Sequence, residues 1–214
     1  MKLSELFYRC LSANYIKTGV SADYAVENRA GNLFLFFQDS DGITDWKNNL
    51  DFPSVPYEKM DKSVWRAHRG FLRVWKEIED SVSPYIMSKN IRRITVAGYS
   101  HGAAVALLCH EYVWYNRPDL REKLNGYGFG CPRVFWGRSC EDLCERWENF
   151  TVIRNIDDIV THLPPAVIGY RHVGKMLEVG EKGKYSNIEA HFAENILIEL
   201  ANYEEKTQAA PVFL

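Results

Sequence analysis

The sequence predicts an α/β fold, with a central, mostly parallel sheet flanked by helices on both faces. Three observations predict it. Compact, β-branched runs alternate with amphipathic helical stripes along the chain. The run "IRRITVAG" passes directly into a stretch that is apolar nearly all round, as a helix buried against a sheet would be. The length of 214 residues suffices for one well-buried core, so residues 1–214 are expected to form a single domain.

Taken in order, the N-terminal "MKLSELFYRCLSANYIKTG" is interrupted by Glu5 and Arg9, which leaves no apolar core for a leader. No run approaches the roughly 18 apolar residues that cross a bilayer. "ADYAVEN" and "NLFLFFQ" flank Ala30-Gly31 and read as two strands joined by a turn. The polar "DGITDWKNNLD" follows. Phe71, Trp75, Ile78, Val82 and Tyr85 then recur at three- and four-residue steps, the stripe of a long helix. "IRRITVAG" is a buried strand, and Gly102 to about Asn116 is the apolar helix after it. "LNGYGFG", "FTVIRNI" and "GYRHVGKMLEV" are further strands. "CEDLCERW" and "IEAHFAENILIELANY" are helices, the second burying Phe192, Ile196, Leu200 and Tyr203; "KTQAAPVFL" is loose.

Composition narrows the partners. The net charge of −2 offers no basic field for phosphate backbones, so nucleic acid is not expected. Stable membrane insertion is not expected either. Five cysteines (Cys10, Cys109, Cys131, Cys140, Cys144) are odd in number and lack zinc-site spacing, which suits buried, reduced thiols. With no leader, these observations predict a cytoplasmic protein. "DSDG" begins like a calcium loop, yet its twelfth position is Leu50 where an acid is needed, so no metal is expected.

The chemistry centres on Ser100 in "ITVAGYSHGAAVALL", with Gly98 and Gly102 two places to either side. A Gly-x-Ser-x-Gly pattern carries weight only where it ends a strand and opens a helix, and here it does both. Turning from strand to helix within about one residue strains the serine backbone and lifts its hydroxyl above the sheet. A side chain at either flanking position would collide with the neighbouring element, so both must be bare. A serine hydroxyl then needs a base, and the base needs an acid. After Ser100 the acids at a strand end are Asp157 and Asp158, and either fits. His162 lies too near them in the chain to come from a separate loop. His172 falls within a strand, whereas His191 follows a loop at the last helix and can reach over the sheet. His101 contributes its backbone N–H as an oxyanion donor.

These residues resemble the class 3 lipase family of α/β-hydrolases from about Tyr24 to His191. "FFQDSDGITDWKNNLDF" is similar to its strand, oxyanion loop and lid; "AHRGFLRVW" to its His-x-Gly-Phe helix start; "VAGYSHGAA" to its nucleophile elbow. "GYGFGCPRVF" and "RNIDDIVTHLPP" match its Phe-Gly-x-Pro-Arg-Val stretch and acid loop. The resemblance implies an α/β-hydrolase fold, Ser100 as nucleophile, Asp158 as acid, His191 as base, and Ser40 with His101 N–H as the oxyanion hole. It implies no cofactor. Three departures stand out. Gln38-Asp39 replaces the usual Arg-Gly before the hole, and a carboxylate there opposes an oxyanion unless it points away. In the elbow, Tyr99 replaces the usual His before the nucleophile and His101 the usual Leu after it. The lid segment, Gly42 to Asn48, carries only Ile43 and Trp46 as large apolar groups.

The function expected is ester hydrolysis by a serine hydrolase (lipase or esterase) acting through an acyl-enzyme. The substrate class is an acylglycerol or another small-molecule ester. The polar lid and the lack of a leader favour small or soluble esters. A thioesterase or acyltransferase would use the same residues. A non-catalytic binding protein would keep the fold with a broken triad, and every member is present here.

Overall fold

A computed structural model describes residues 1–19, 21–39, 53–57, 66–137 and 145–209. The two N-terminal strands, β1 (Ala22–Arg29) and β2 (Asn32–Asp39), form the antiparallel hairpin that the sequence predicts. Its two turn residues both take positive φ, Ala30 at 50° and Gly31 at 84°, the geometry whose twist matches the flanking strands. Two short strands follow, β3 (Ser54–Pro56) and β4 (Arg66–His68). Then come helix α2 (Arg69–Ile86), β5 (Arg93–Tyr99), helix α3 (His101–Asn116) and β6 (Leu124–Phe129). The C-terminal part contains β7 (Phe135–Trp136), β8 (Phe150–Asn155), β9 (Tyr170–Arg171), β10 (Lys175–Val179) and helix α4 (Ala193–Ala209). Helix α1 (Leu3–Ser12) precedes them all.

The main sheet runs β1-β2-β5-β6-β8-β10, parallel everywhere except in the hairpin. Alternation along β2 explains why "LFLFF" is apolar without a break. Leu33, Leu35 and Phe37 enter the core under α2 and α3, while Phe34 and Phe36 face the opposite layer. That second layer holds Leu6, Phe7 and Cys10 of α1 and Ile196 and Leu200 of α4. Helices thus cover both faces, as expected.

Details differ from the sequence reading. Glu5 and Arg9, which break up the N-terminal apolar run, mark the polar side of α1, and Arg9 pairs with Glu27 at 2.8 Å. The α2 stripe ends on buried Ile86, whereas Tyr85 is exposed. In α4, Ile196 and Leu200 are buried but Phe192 lies before the helix and is exposed. "GYRHVGKMLEV" divides: β9 joins a small antiparallel sheet, β3-β4-β7-β9, and β10 closes the main one. Of "CEDLCERW", Glu145–Trp147 forms a single 3-10 turn, and its earlier residues, Cys140 and Cys144 among them, lie outside the described residues. Among the described residues, no helix is long and apolar enough to cross a membrane.

Candidate active site

The carboxyl ends of β5, β6 and β8 stand side by side, and the chain leaves each of them at a residue of the site. After β5 it turns into α3 within one residue. Ser100 makes that turn at φ 55°, ψ −122°, a conformation that a non-glycine residue adopts at a cost of about 1–3 kcal/mol. Its amide donates to the Phe129 carbonyl of β6 at 2.9 Å. The flanking glycines are sterically required. A Cβ on Gly98 would enter the Gly102 carbonyl and stand 2.7 Å from Ala103 N. A Cβ on Gly102 would strike the Phe37 carbonyl and stand 2.7 Å from Gln38 Cα, at the end of β2.

The loop after β8 carries both candidate acids, and the fold separates them. Asp158 is fully buried; its Oδ1 accepts from the Val160 amide at 2.8 Å, and its backbone carbonyl accepts from the Thr161 hydroxyl at 2.8 Å. Asp157 turns outward, where its carboxylate accepts from the Gly183 amide at 2.5 Å. Arg133 braces the same loop: its amide donates to Leu163 O at 2.7 Å and its guanidinium to the His162 and Pro164 carbonyls.

His191 ends a 3-10 turn, Glu189–His191, just before α4. Its Nδ1 lies 2.8 Å from Asp158 Oδ2, and its Nε2 lies 2.8 Å from Ser100 Oγ. A carboxylate can only accept, so Nδ1 carries the proton and Nε2 accepts from the serine hydroxyl. A line of this kind can act as nucleophile, base and orienting acid. All three side chains are buried, at 2%, 1% and 0% exposure for Ser100, His191 and Asp158. The segments that carry them also bind one another through their backbones. Ile159 N donates to Asn187 O at 3.1 Å, and the Tyr99 hydroxyl donates to His191 O at 2.7 Å.

The other histidines serve elsewhere. His172 is not within a strand; it sits between β9 and β10, with Nε2 2.7 Å from the Thr161 carbonyl. His162 Nε2 lies 3.4 Å from an Arg154 nitrogen. His68 caps α2, its Nδ1 accepting from the Phe71 amide at 3.4 Å. The His101 ring turns towards Phe71, with ring centres 5.3 Å apart, while its amide stands at the positive end of α3. Ser40, Asp39's side chain and the lid segment from Gly42 to Asn48 lie outside the described residues. The three thiols among the described residues do not compete with Ser100. Burial pushes Cys10 up to about 12, and burial raises Cys109 and Cys131 well above the ordinary thiol range.

Residues 34–168 match the family described as Lipase (class 3). The chain is 28% identical over 148 residues to a lipase from Rhizomucor miehei, which covers 67% of this chain and 40% of that protein. It is 27% identical over 160 residues to secreted mono- and diacylglycerol lipase 1 of Fusarium solani, covering 73% of this chain and 46% of that protein. It therefore spans less than half the length of these two relatives. Among solved structures, the Rhizomucor miehei triacylglyceride lipase superposes with a TM-score of 0.65 at 25% identity, over 78% of this chain and 66% of that one. A triacylglycerol lipase whose catalytic centre is formed by a serine protease triad superposes with a TM-score of 0.60 at 26% identity, over 78% and 64%. The fold is that of an α/β-hydrolase.

One expectation is overturned. The Fusarium relative is named a secreted enzyme, which points outside the cell rather than to the cytoplasm. The cytoplasmic expectation rested on the thiols and on the N-terminal segment. Cys10, Cys109 and Cys131 are free and sealed in the core, where a thiol is equally inert in either redox compartment. The N-terminal segment is a helix packed on the sheet through Leu6, Phe7 and Cys10.

Proposed function

The chain belongs to the class 3 lipase family, and on that premise we propose that it is a serine hydrolase cleaving carboxylic esters of the acylglycerol class. The single observation that carries this reading is the unbroken line from Ser100 Oγ through the His191 ring to Asp158, with 2.8 Å at each link.

The chemistry follows from the line. His191 Nε2 takes the hydroxyl proton as Ser100 Oγ bonds to the acyl carbon, and Asp158 stabilises the imidazolium. The tetrahedral oxygen then needs donors. We assign the His101 amide, at the N-terminus of α3, and Ser40, which follows β2 where that strand's end packs against Gly102. The imidazolium returns its proton to the departing alcohol, leaving Ser100 acylated. Water, deprotonated by His191 in turn, releases the acid and restores the hydroxyl. Residues 1–214 act as one unit in this reading, since both apolar layers line the same sheet.

An acylglycerol substrate is supported by exposed apolar side chains next to the acid and the base in the chain: Ile159 follows the acid, and Ile188 and Phe192 flank the base. Aliphatic chains lie favourably on such exposed apolar groups. The Fusarium relative is named for mono- and diacylglycerols. We place the enzyme outside the cell, as that relative's name says of it.

The test uses a fluorophosphonate and a series of acylglycerols. The native protein is expected to label and to release fatty acid, and Ser100→Ala to do neither, a loss on the order of 10⁴- to 10⁶-fold in turnover. Labelling that survives in Ser100→Ala, or a native protein that never labels, sinks the reading.

A further inference from the structure

The base is the least supported member of the line. His191 lies on one 3-10 turn, whose internal bonds are all local: Ala190 N to Ser186 O, His191 N to Ile188 O and Phe192 N to Glu189 O, at 2.9, 3.0 and 3.0 Å. Turns of this kind have poor hydrogen-bond geometry and little stability of their own. Besides the two bonds of the His191 ring itself, two more tie this turn to the sheet side of the molecule among the described residues. Ile159 N to Asn187 O holds its start to the acid loop, and Tyr99 Oη to His191 O holds its end to the elbow.

Tyr99 does more than supply a donor. Its ring lies 5.3 Å from the His191 imidazole at an interplanar angle of 23°, a stacked pair. On another side it meets Phe7 of α1, 5.5 Å away and tilted by 60°. Its backbone pairs with Phe129 in the β5–β6 ladder, so the phenol is fixed at both ends. The same residue directly precedes Ser100. One side chain therefore links the strand that positions the nucleophile to the backbone and the ring plane of the base.

We propose that Tyr99 is a positioning residue: its hydroxyl holds the His191 carbonyl and its ring holds the imidazole plane, so that Nε2 stays on Ser100 Oγ. This rests on the triad reading above. Burial, with the Asp158 and Glu194 carboxylates, raises the Tyr99 hydroxyl far above neutral pH and keeps it a donor.

Tyr99→Phe removes one oxygen and keeps the ring and its Phe7 contact. Misplacing a base by a fraction of an ångström lowers turnover without touching substrate binding, so kcat on a nitrophenyl ester should fall by about tenfold or more while KM stays put. The maximal rate of fluorophosphonate labelling should fall by the same factor, with its half-saturating concentration unchanged. The downfield proton resonance of His191 Nδ1–H should broaden as the turn loosens and exchanges with water. A hydroxyl that only stabilises the core would lower Tm and move none of these. Tyr99→Leu, which also removes the stacked ring, should fall further; if it does not fold, the phenylalanine variant decides alone. An unchanged kcat and labelling rate in Tyr99→Phe overturns the proposal, as does a raised KM at constant kcat. Ser100→Ala separates the two readings. If it abolishes labelling of a reactive native protein while Tyr99→Phe behaves as native, positioning fails and the triad stands. If the native protein does not label, both fail.

Discussion

A Cβ placed on Gly130 would stand 2.7 Å from Cε1 and 2.9 Å from Nδ1 of His191, so the bare backbone of Gly130 forms the floor beneath the imidazole. The residue follows β6 at φ +58°, and its amide is held by Ile153 O at 2.9 Å, so the floor cannot drop away. Gly130→Ala should push the ring off Ser100 and cost on the order of 10²-fold in kcat/KM. Strain at positive φ should add a destabilisation of about 1–2 kcal/mol. Activity and Tm measured together check both parts; native kcat/KM in a folded variant would show that the ring does not rest there.

Asp158 and Asp157 are neighbours with opposite surroundings, and that predicts opposite consequences. An amide at position 158 can present a donor to Nδ1, which favours the wrong imidazole tautomer for accepting the serine proton. Asp158→Asn should lower kcat at neutral pH by about 10³- to 10⁴-fold. Asp157 accepts from the exposed Gly183 amide, away from His191, so Asp157→Asn should change kcat by no more than a few-fold. A reversal of this order would exchange the two roles.

That pair shows where the sequence stops being legible. The elbow is readable because its constraint is local: a strand, a serine and a helix need bare flanks, and Gly98 and Gly102 supply them. His191 is readable by its place after a loop. Choosing between two adjacent aspartates requires knowing which one turns inward, and periodicity carries no such information; the family resemblance made that choice. The small sheet escapes for a different reason. Strands of two or three residues, such as Ser54–Pro56 and Phe135–Trp136, are shorter than any pattern that could announce them. Helix α1 hides because the polar residues that break up its apolar run are also what an amphipathic helix needs. Tyr99 and Gly130 sit within recognisable blocks, yet their contacts with His191 bridge residues far apart in the chain and exist only after folding.

Acid should unfold this protein partly through two histidines, one buried and one half-buried. His110, in the middle of α3, packs edge-on against Phe150, and neither ring nitrogen has a hydrogen-bond partner among the described residues. Burial lowers it from 6.5 to about 3. His172 is lowered to about 4, chiefly by burial, with Arg133, Arg154 and His162 adding to it and the Thr161 carbonyl opposing. Both are neutral in the folded protein over a range where the unfolded chain takes up protons. Their stabilisation is therefore complete above pH 6.5 and is lost as pH falls through the window towards 4 and then 3. Each contributes a slope of up to about 1.4 kcal/mol per pH unit. Urea midpoints taken from pH 7 to pH 4 should fall steadily, and His110→Leu should flatten the fall by one proton's worth. A variant with the native slope would remove His110 from the account.

Three turns along α3 from the elbow, Glu111 and Arg146 form an ion pair at 2.6 Å with side chains only 0% and 5% exposed. The Tyr57 hydroxyl is hydrogen-bonded to Glu111, and burial together with that carboxylate raises it well above its ordinary value. Arg146 also donates to the Tyr115 hydroxyl at 3.1 Å and lies over the Trp147 ring at 4.2 Å. Tyr57 and Phe135, in ring contact at 5.6 Å, connect this cluster to the small sheet. Removing one charge strands the other in a dry site, which costs about 3–5 kcal/mol. Replacing both with apolar groups of similar size removes the desolvation penalty along with the attraction. Arg146→Met alone should therefore lower Tm by roughly 6–20 °C, whereas Glu111→Leu with Arg146→Met should recover most of that loss. Activity per folded molecule should stay native in both, since neither residue belongs to the line at Ser100. A double variant no more stable than Arg146→Met would mean that the pair contributes more than it costs to bury, and that the small sheet depends on it.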